Sequence, residues 1–255
     1  MQSLSIPEIL LFQWGMNLTR YTLLAGGAWL VFWKWFHPKW KSRRLAPVDP
    51  TAAQIRREIL MSAVSMTIFL LPVAVILLTA RSGYSKLYFK PEQYGWTWYF
   101  LSYVALFVWH DTYFYWTHRL MHWGPIYRVV HRVHHLSKHP TPFTAFSFHP
   151  LEALIEGAAI SVLTFILPLH VGVTAIFTLF SLAFNVYGHL GIRVVPHRGF
   201  WKYFNSPESH GAHHERFRGN YSLYTNFWDR VMGTELKQRP SSTKSNPVAD
   251  TEDAA

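Results

Sequence analysis

The sequence contains no cysteine. Disulfides, thiolate metal sites and thiol nucleophiles are therefore excluded. Acidic residues are scarce: 14 Asp and Glu stand against 24 Lys and Arg, a net charge of +10. Half of the chain is apolar and 17% is aromatic. On so apolar a chain, that charge points to anionic lipid headgroups rather than nucleic acid, and no nucleic-acid-binding motif occurs. The N-terminus has neither a basic region nor a small-residue cleavage site, so no removable signal peptide is expected. Internal repeats are absent. Mean hydropathy is only +0.05, so a polar part offsets any membrane spans. The 255 residues allow one large domain or two small ones.

What is present is four long apolar stretches. They run from about Ile9 to Phe36, Ile59 to Ala80, Trp96 to Trp123, and Leu151 to Leu190. One span needs roughly 20 residues. The fourth stretch is nearly twice that and contains Pro168, so it reads as two spans or a half-penetrating hairpin turning near residues 167–170. Lys39, Lys41, Arg43, Arg44, Arg56 and Arg57 crowd the first loop, whereas the second carries Arg81, Lys86 and Lys90. The positive-inside rule places the first loop in the cytoplasm, and counting crossings brings residues 118–150 to the same side. The expected fold class is all-α: a multi-pass membrane bundle of four to five helices with a cytoplasmic histidine-rich helical cap. Residues 237–255, rich in Ser, Thr, Pro, Asp and Ala, are expected to form a disordered tail.

Histidines gather at the polar ends of this pattern. His118 and His122 are spaced i, i+4 at the end of the third stretch, where Gly124-Pro125 stops the helix. His131, His134 and His135 form HxxHH, and His210, His213 and His214 repeat it. Residues three and four apart share a helix face, so each cluster can aim its imidazoles at one point. Ser206, Pro207 and Glu208 give the third cluster its own helix start. His189 is a ninth candidate. Nine neutral imidazoles suffice for two metal ions with four or five ligands each, and that excess over a four-coordinate structural site favours a pair of irons.

Asp111 lies on the same helical face as His118 and His122 but deeper, and is expected either to orient a ligand imidazole through Tyr115 or a water or to make a structural hydrogen bond. Glu152 and Glu156 occupy the first turns of the helix opened by Pro150. Helix capping competes with a metal-supporting role for both. His37, His139 and His197 read as ordinary interface residues, and His149 and His170 as caps or loop hydrogen-bonders.

The ordered boxes HRLMH (118–122), HRVHH (131–135) and HGAHH (210–214) resemble the fatty acid hydroxylase and sterol desaturase superfamily of membrane-bound di-iron oxidases. The eight-residue gap between the first two boxes resembles the sterol desaturase branch. "HPTPFTAFSFHP" (139–150), "LPLH" (167–170) and "NYSLYTNFWDRVMGT" (220–234) are similar to sterol C-5 desaturases in particular. Asn185 stands where fatty acid 2-hydroxylases often carry a histidine, which counts against that branch. The resemblance implies a catalytic domain over 96–236 behind N-terminal membrane helices over 1–95. It also implies two Fe ions and O2 as co-substrate, with His118, His122, His131, His134, His135, His189, His210, His213 and His214 as metal ligands. The implied substrate is a sterol-like membrane lipid, desaturated or hydroxylated at an unactivated C–H bond. Fatty-acyl, sphingolipid or carotenoid hydroxylation on the same scaffold is the alternative. No fused cytochrome domain is recognisable, so electrons are expected from a separate carrier such as a b-type cytochrome or ferredoxin. The expected location is the bacterial inner membrane or the endoplasmic reticulum. A membrane metal-transport protein is the remote alternative, which the histidines' gathering at one face disfavours.

Overall fold

The computed structural model describes residues 5–236 apart from His197, and the side chain of Arg81 is left out. The expected tail and His197 lie outside the described residues.

The first apolar stretch is one helical rod. It begins as α1 (Ile6–Tyr21) and continues through π-helical turns over Thr22–Gly26 and Trp29–Trp35. Glu8 Oε2 accepts the Ser5 backbone N–H at 2.7 Å, satisfying a donor at the helix start. A short helix α2 (His37–Lys41) turns the chain into the basic loop. Next come α3 (Ala52–Ile68), capped by Thr51 accepting from Gln54 N, and α4 (Leu70–Arg81). The break at Phe69 has a steric cause: Pro72 has no N–H to offer Ile68, and its ring crowds that carbonyl.

The third stretch forms the 27-residue α5 (Gly95–Met121), with His122 as its C-cap. Trp123 then leads into α6 (Gly124–Ile126), a π-helical turn over Tyr127–His131, and α7 (Arg132–His135). The fourth stretch is a hairpin, as Pro168 suggested: α8 (Pro150–Ile166) and α9 (Val171–Gly188). His149 caps α8 by accepting from Leu151 N, and His170 caps α9 by accepting from Gly172 N. The hairpin turn is pinned by a two-residue parallel ladder, β1 (Leu87–Tyr88) against β2 (Leu169–His170). Beyond lie α10 (Pro207–Arg216) and α11 (Phe227–Val231).

The main core joins α5, α8, α9 and the 223–224 segment through Leu106, Phe114, Leu163, Leu169, Val173, Phe177, Leu223 and Tyr224. A second cluster sets Tyr21 and Ala25 of the first rod and Met66 of α3 against Ala145, Leu182 and Val186. Among the described residues two helical segments are long and apolar enough to cross a membrane: Ala52–Ala80, which is α3 and α4 taken across their break, and Val171–Gly188. Large apolar side chains stand exposed along the bundle, among them Leu60, Leu71, Leu78, Phe100, Val104, Val108, Ile166 and Ile176. So much exposed apolar surface is foreign to a monomer in water and suits a lipid surround.

Candidate metal centre

The three histidine boxes and His189 meet at one end of the bundle, in two adjacent sets. His118, His122, His131, His135 and His213 form the first, and His134, His189, His210 and His214 the second. Within each set the ligating nitrogens lie within 4.8 Å of one another. Helical geometry explains the division. In each HxxHH box the i, i+4 pair points one way and the i+3 residue points about 100° away from its neighbour. Thus His131 and His135 serve the first set while His134 reaches the second. In α10 the roles are reversed: His210 and His214 serve the second set and His213 the first. Each HxxHH box therefore straddles both sets.

Tautomers of six of the nine rings are fixed by what their Nδ1 atoms meet; the Nδ1 atoms of His135, His210 and His214 are buried without a partner. Nδ1–H donates to Tyr221 O from His118 (2.8 Å), to Phe217 O from His122 (3.0 Å), to Asn185 O from His189 (2.8 Å) and to Gly219 O from His213 (2.7 Å). His134 Nδ1 faces Ser147 O more distantly, at 3.4 Å. His131 Nδ1 donates to a carboxylate, Glu152 Oε1, at 2.7 Å. With Nδ1 protonated, Nε2 of a neutral ring carries only a lone pair.

The Nε2 atoms converge. Nε2–Nε2 separations run 3.0 Å for His118–His131, 3.1 Å for His131–His135 and 3.2 Å for His122–His135. In the second set they are 2.9 Å for His189–His210, 3.2 Å for His134–His189 and for His210–His214, and 3.3 Å for His189–His214. In His118–His131 and His134–His189 both Nδ1 atoms have acceptors, so two bare lone pairs face each other and repel. A cation at their centre turns repulsion into ligation. Metal–nitrogen bonds of about 2.1 Å in tetrahedral to octahedral arrangement put neighbouring nitrogens about 2.9–3.4 Å apart, which matches the observed spacing. His213 Nε2 is buried with no hydrogen-bond partner, and it completes the first set. The donor set fits two metal ions.

Burial also keeps the rings neutral. His131, His134, His210, His213 and His214 are held well below the usual imidazole range, first by desolvation and then by one another's charge. The same desolvation takes His135 down to about 3. Their lone pairs stay free of protons at neutral pH.

Several residues missing from the sequence reading hold this arrangement. Phe217, Gly219 and Tyr221, in the turn beyond α10, supply three of the carbonyl acceptors. The turn uses left-handed backbone at Phe217, Gly219 and Asn220. Asp229 receives the N–H groups of Tyr221 and Ser222, both at 2.9 Å, and so fixes the carbonyl that holds His118. Glu58, fully buried in α3, accepts from Gln54, Ser137 and Thr141, anchoring the chain just past His135.

Two expectations about carboxylates meet different outcomes. Glu152 reaches a histidine, as above. Asp111 does not: Oδ1 accepts from Tyr224 N (3.0 Å) and Thr225 N (3.3 Å), and Oδ2 from the Thr225 hydroxyl. Tyr115, the expected relay, pairs with Thr234 instead. Asp111 shares the azimuth of His118 but lies too deep to reach the imidazoles, so it anchors the 224–225 segment. Glu156 Oε1 is buried with no partner.

Comparison with known proteins agrees with this geometry. The chain is 31% identical over 183 residues to lathosterol oxidase of Rattus norvegicus, covering 71% of this chain and 61% of the relative. It is 33% identical over 184 residues to lathosterol oxidase of Homo sapiens, with the same coverages. To the Delta(7)-sterol 5(6)-desaturase of Leptosphaeria maculans it is 30% identical over 236 residues, 89% of this chain and 61% of the relative. The chain thus spans about three fifths of the length of these relatives. No solved structure matches it. Residues 103–234, which hold all nine clustered histidines, match the fatty acid hydroxylase family, and the chain belongs to that family.

Proposed function

We propose that this chain is a membrane-bound di-iron oxidase that uses O2 to desaturate or hydroxylate an unactivated C–H bond of a sterol-like lipid. The observation that carries the reading is the convergence of nine imidazoles into a five-ligand and a four-ligand set. The names of the relatives point to a sterol nucleus as substrate. The exposed apolar belt beside the site supports a substrate that arrives from the bilayer.

Iron held by these histidines would supply the redox chemistry that activates O2, the oxidant, for C–H oxidation. Everything else falls to the protein. The Nδ1 donations to Tyr221, Phe217, Asn185 and Gly219 lock ring orientation. Glu152 raises the basicity of His131 and lends negative charge to a site whose ligands are otherwise neutral. Phe114, Phe148 and Tyr221 pack their rings within 5.1–5.7 Å of His118, His134 and His122. Those rings exclude water, which limits wasteful side reactions. The basic first loop and the positive-inside rule support a cytoplasmic histidine centre.

The test is metal analysis of the purified chain together with lipid profiling of cells with and without it. Two irons per chain and a sterol-like lipid that loses hydrogen or gains oxygen are expected. Fewer than two metals bound, or an unchanged lipid profile, would defeat the reading.

A further inference from the structure

The oxidase reading has an electron balance that the chain's lipid substrate cannot close. Desaturation takes one lipid with two hydrogens, one O2, two electrons and two protons to the alkene and two waters. Hydroxylation takes the same O2, electrons and protons to the alcohol and one water. In both cases two electrons must enter from a reductant, and the nine imidazoles are buried or nearly so.

One surface comes close to them. Phe217 is only half-buried. On its inner side its ring lies 5.3 Å, centroid to centroid, from His135 of the first set, and its carbonyl holds His122. Tyr127, also half-buried, stands 6.3 Å from Phe217, 5.8 Å from His135 and 5.6 Å from His122. These two rings form one partly open side of the first set.

The rim around them is basic. Lys138 places its ammonium 6.0 Å from the Phe217 ring centroid. Arg218 is the next residue along the chain, and the charge of Arg132 bears on the Tyr127 phenol. All three cations are exposed, and none forms an ion pair among the described residues. Glu215 is the exposed acid nearby on α10, while Glu208 of that helix is already paired with Arg193. Lys138, Arg216 and Glu215 also line an open cavity of about 170 Å³ bounded by residues 45–50 and α10. Exposed Leu136 lies between Arg132 and Lys138 along the chain, and exposed Val129 shortly before them, so this flank mixes charge with apolar surface.

We propose that Tyr127 and Phe217, rimmed by Arg132, Lys138 and Arg218, form the docking surface of an acidic one-electron carrier protein. The proposal rests on the oxidase reading. A half-buried aromatic centre inside an arginine- and lysine-rich rim is the anatomy of a transient interface. Unpaired surface cations speed the encounter with a negatively charged partner, and salt weakens that pull. The reduced carrier delivers one electron per encounter, twice per O2, and leaves oxidised.

The test uses the full iron-loaded chain in zwitterionic lipid nanodiscs. Its partners are an acidic [2Fe–2S] ferredoxin and an acidic soluble b-type cytochrome. The triple variant Arg132→Glu, Lys138→Glu, Arg218→Glu is compared with wild type, and the corresponding Gln triple serves if the first fails to fold. Equilibrium binding to the carrier is the first readout. Wild type should bind at least one carrier, more weakly as salt rises, and reversal should weaken binding by about tenfold or more. Carrier oxidation should slow in parallel, while iron content and dithionite-driven lipid oxidation stay unchanged. Binding that is indifferent to the three substitutions, or absent with both carriers, overturns the proposal. So does a triple variant that keeps carrier binding but loses association with anionic-lipid vesicles, since the cations would then face the membrane. Iron-loaded wild type that oxidises no lipid with dithionite breaks the oxidase reading instead, whatever the binding result.

Discussion

His131 donates its Nδ1 proton to Glu152 across 2.7 Å, and both side chains are almost wholly buried. A carboxylate behind a ligand imidazole fixes its tautomer and makes it a stronger donor to a metal. Glu152→Gln keeps the shape and one acceptor oxygen but removes the charge. Iron affinity or turnover should fall about 10–100-fold, with the helix intact because Pro150 and His149 still open it. Chelator competition followed by metal analysis reads the affinity. Unaltered affinity and rate would reduce Glu152 to a packing residue.

The unequal sets make the single-histidine variants unequal. His134→Ala or His214→Ala leaves three imidazoles where four stood, whereas His118→Ala or His213→Ala leaves four of five. The first two should therefore drop iron content toward one per chain. The second two should retain more metal yet lose activity, because the remaining ligands leave that ion differently placed. Metal analysis of each purified variant decides it. Equal losses in all four would mean that the two sets load as a single unit.

Asp111→Asn should act on stability rather than on metal. The carboxylate collects two backbone N–H groups and one hydroxyl from Tyr224 and Thr225. Asn can present one oxygen to these donors, but its amide nitrogen cannot accept from the others. A loss of about 1–3 kcal/mol is expected, seen as a lower unfolding midpoint in detergent, with iron content at saturation kept. A wild-type midpoint with depleted iron would return Asp111 to the metal-supporting role its helical azimuth suggested.

That contrast shows what the sequence carries. Spacing of three and four gives azimuth on a helix, and it grouped the eight histidines of the three boxes because each box is short; His189 stands outside any box and carries no such mark. Length and Pro168 exposed the α8–α9 hairpin for an equally local reason. Azimuth and depth did not give the partner: Asp111 lies about 10 Å along the axis from His118, and Tyr115, the expected relay, pairs with Thr234 instead. The carbonyl acceptors were invisible for a different reason. His122 meets Phe217 from 95 residues away and His118 meets Tyr221 from 103 away, and a backbone carbonyl leaves no mark on residue identity. Only Gly219, within an otherwise unremarkable loop, hinted at the left-handed turn that aims those carbonyls inward. Glu58 follows Arg56 and Arg57 at the edge of the basic loop, where an acid reads as a solvated charge, so its burial left no mark either.

Gly219 allows the last test, because a second glycine controls for its backbone. Gly219 and Gly233 have nearly the same left-handed φ, +65° and +66°. Alanine at either should cost about 1–3 kcal/mol for that conformation. At Gly233 the added methyl meets nothing within 4 Å, whereas at Gly219 it would lie 2.6 Å from Thr234 O and 2.8 Å from Leu236 Cγ. The chain must shift there, and it carries the carbonyl that holds His213 Nδ1 at 2.7 Å. Gly219→Ala should therefore lower both the unfolding midpoint and the iron held by the five-histidine set. Gly233→Ala should lower the midpoint alone. Iron lost equally from both variants would show that general loosening, rather than the aim of one carbonyl, governs the metal centre.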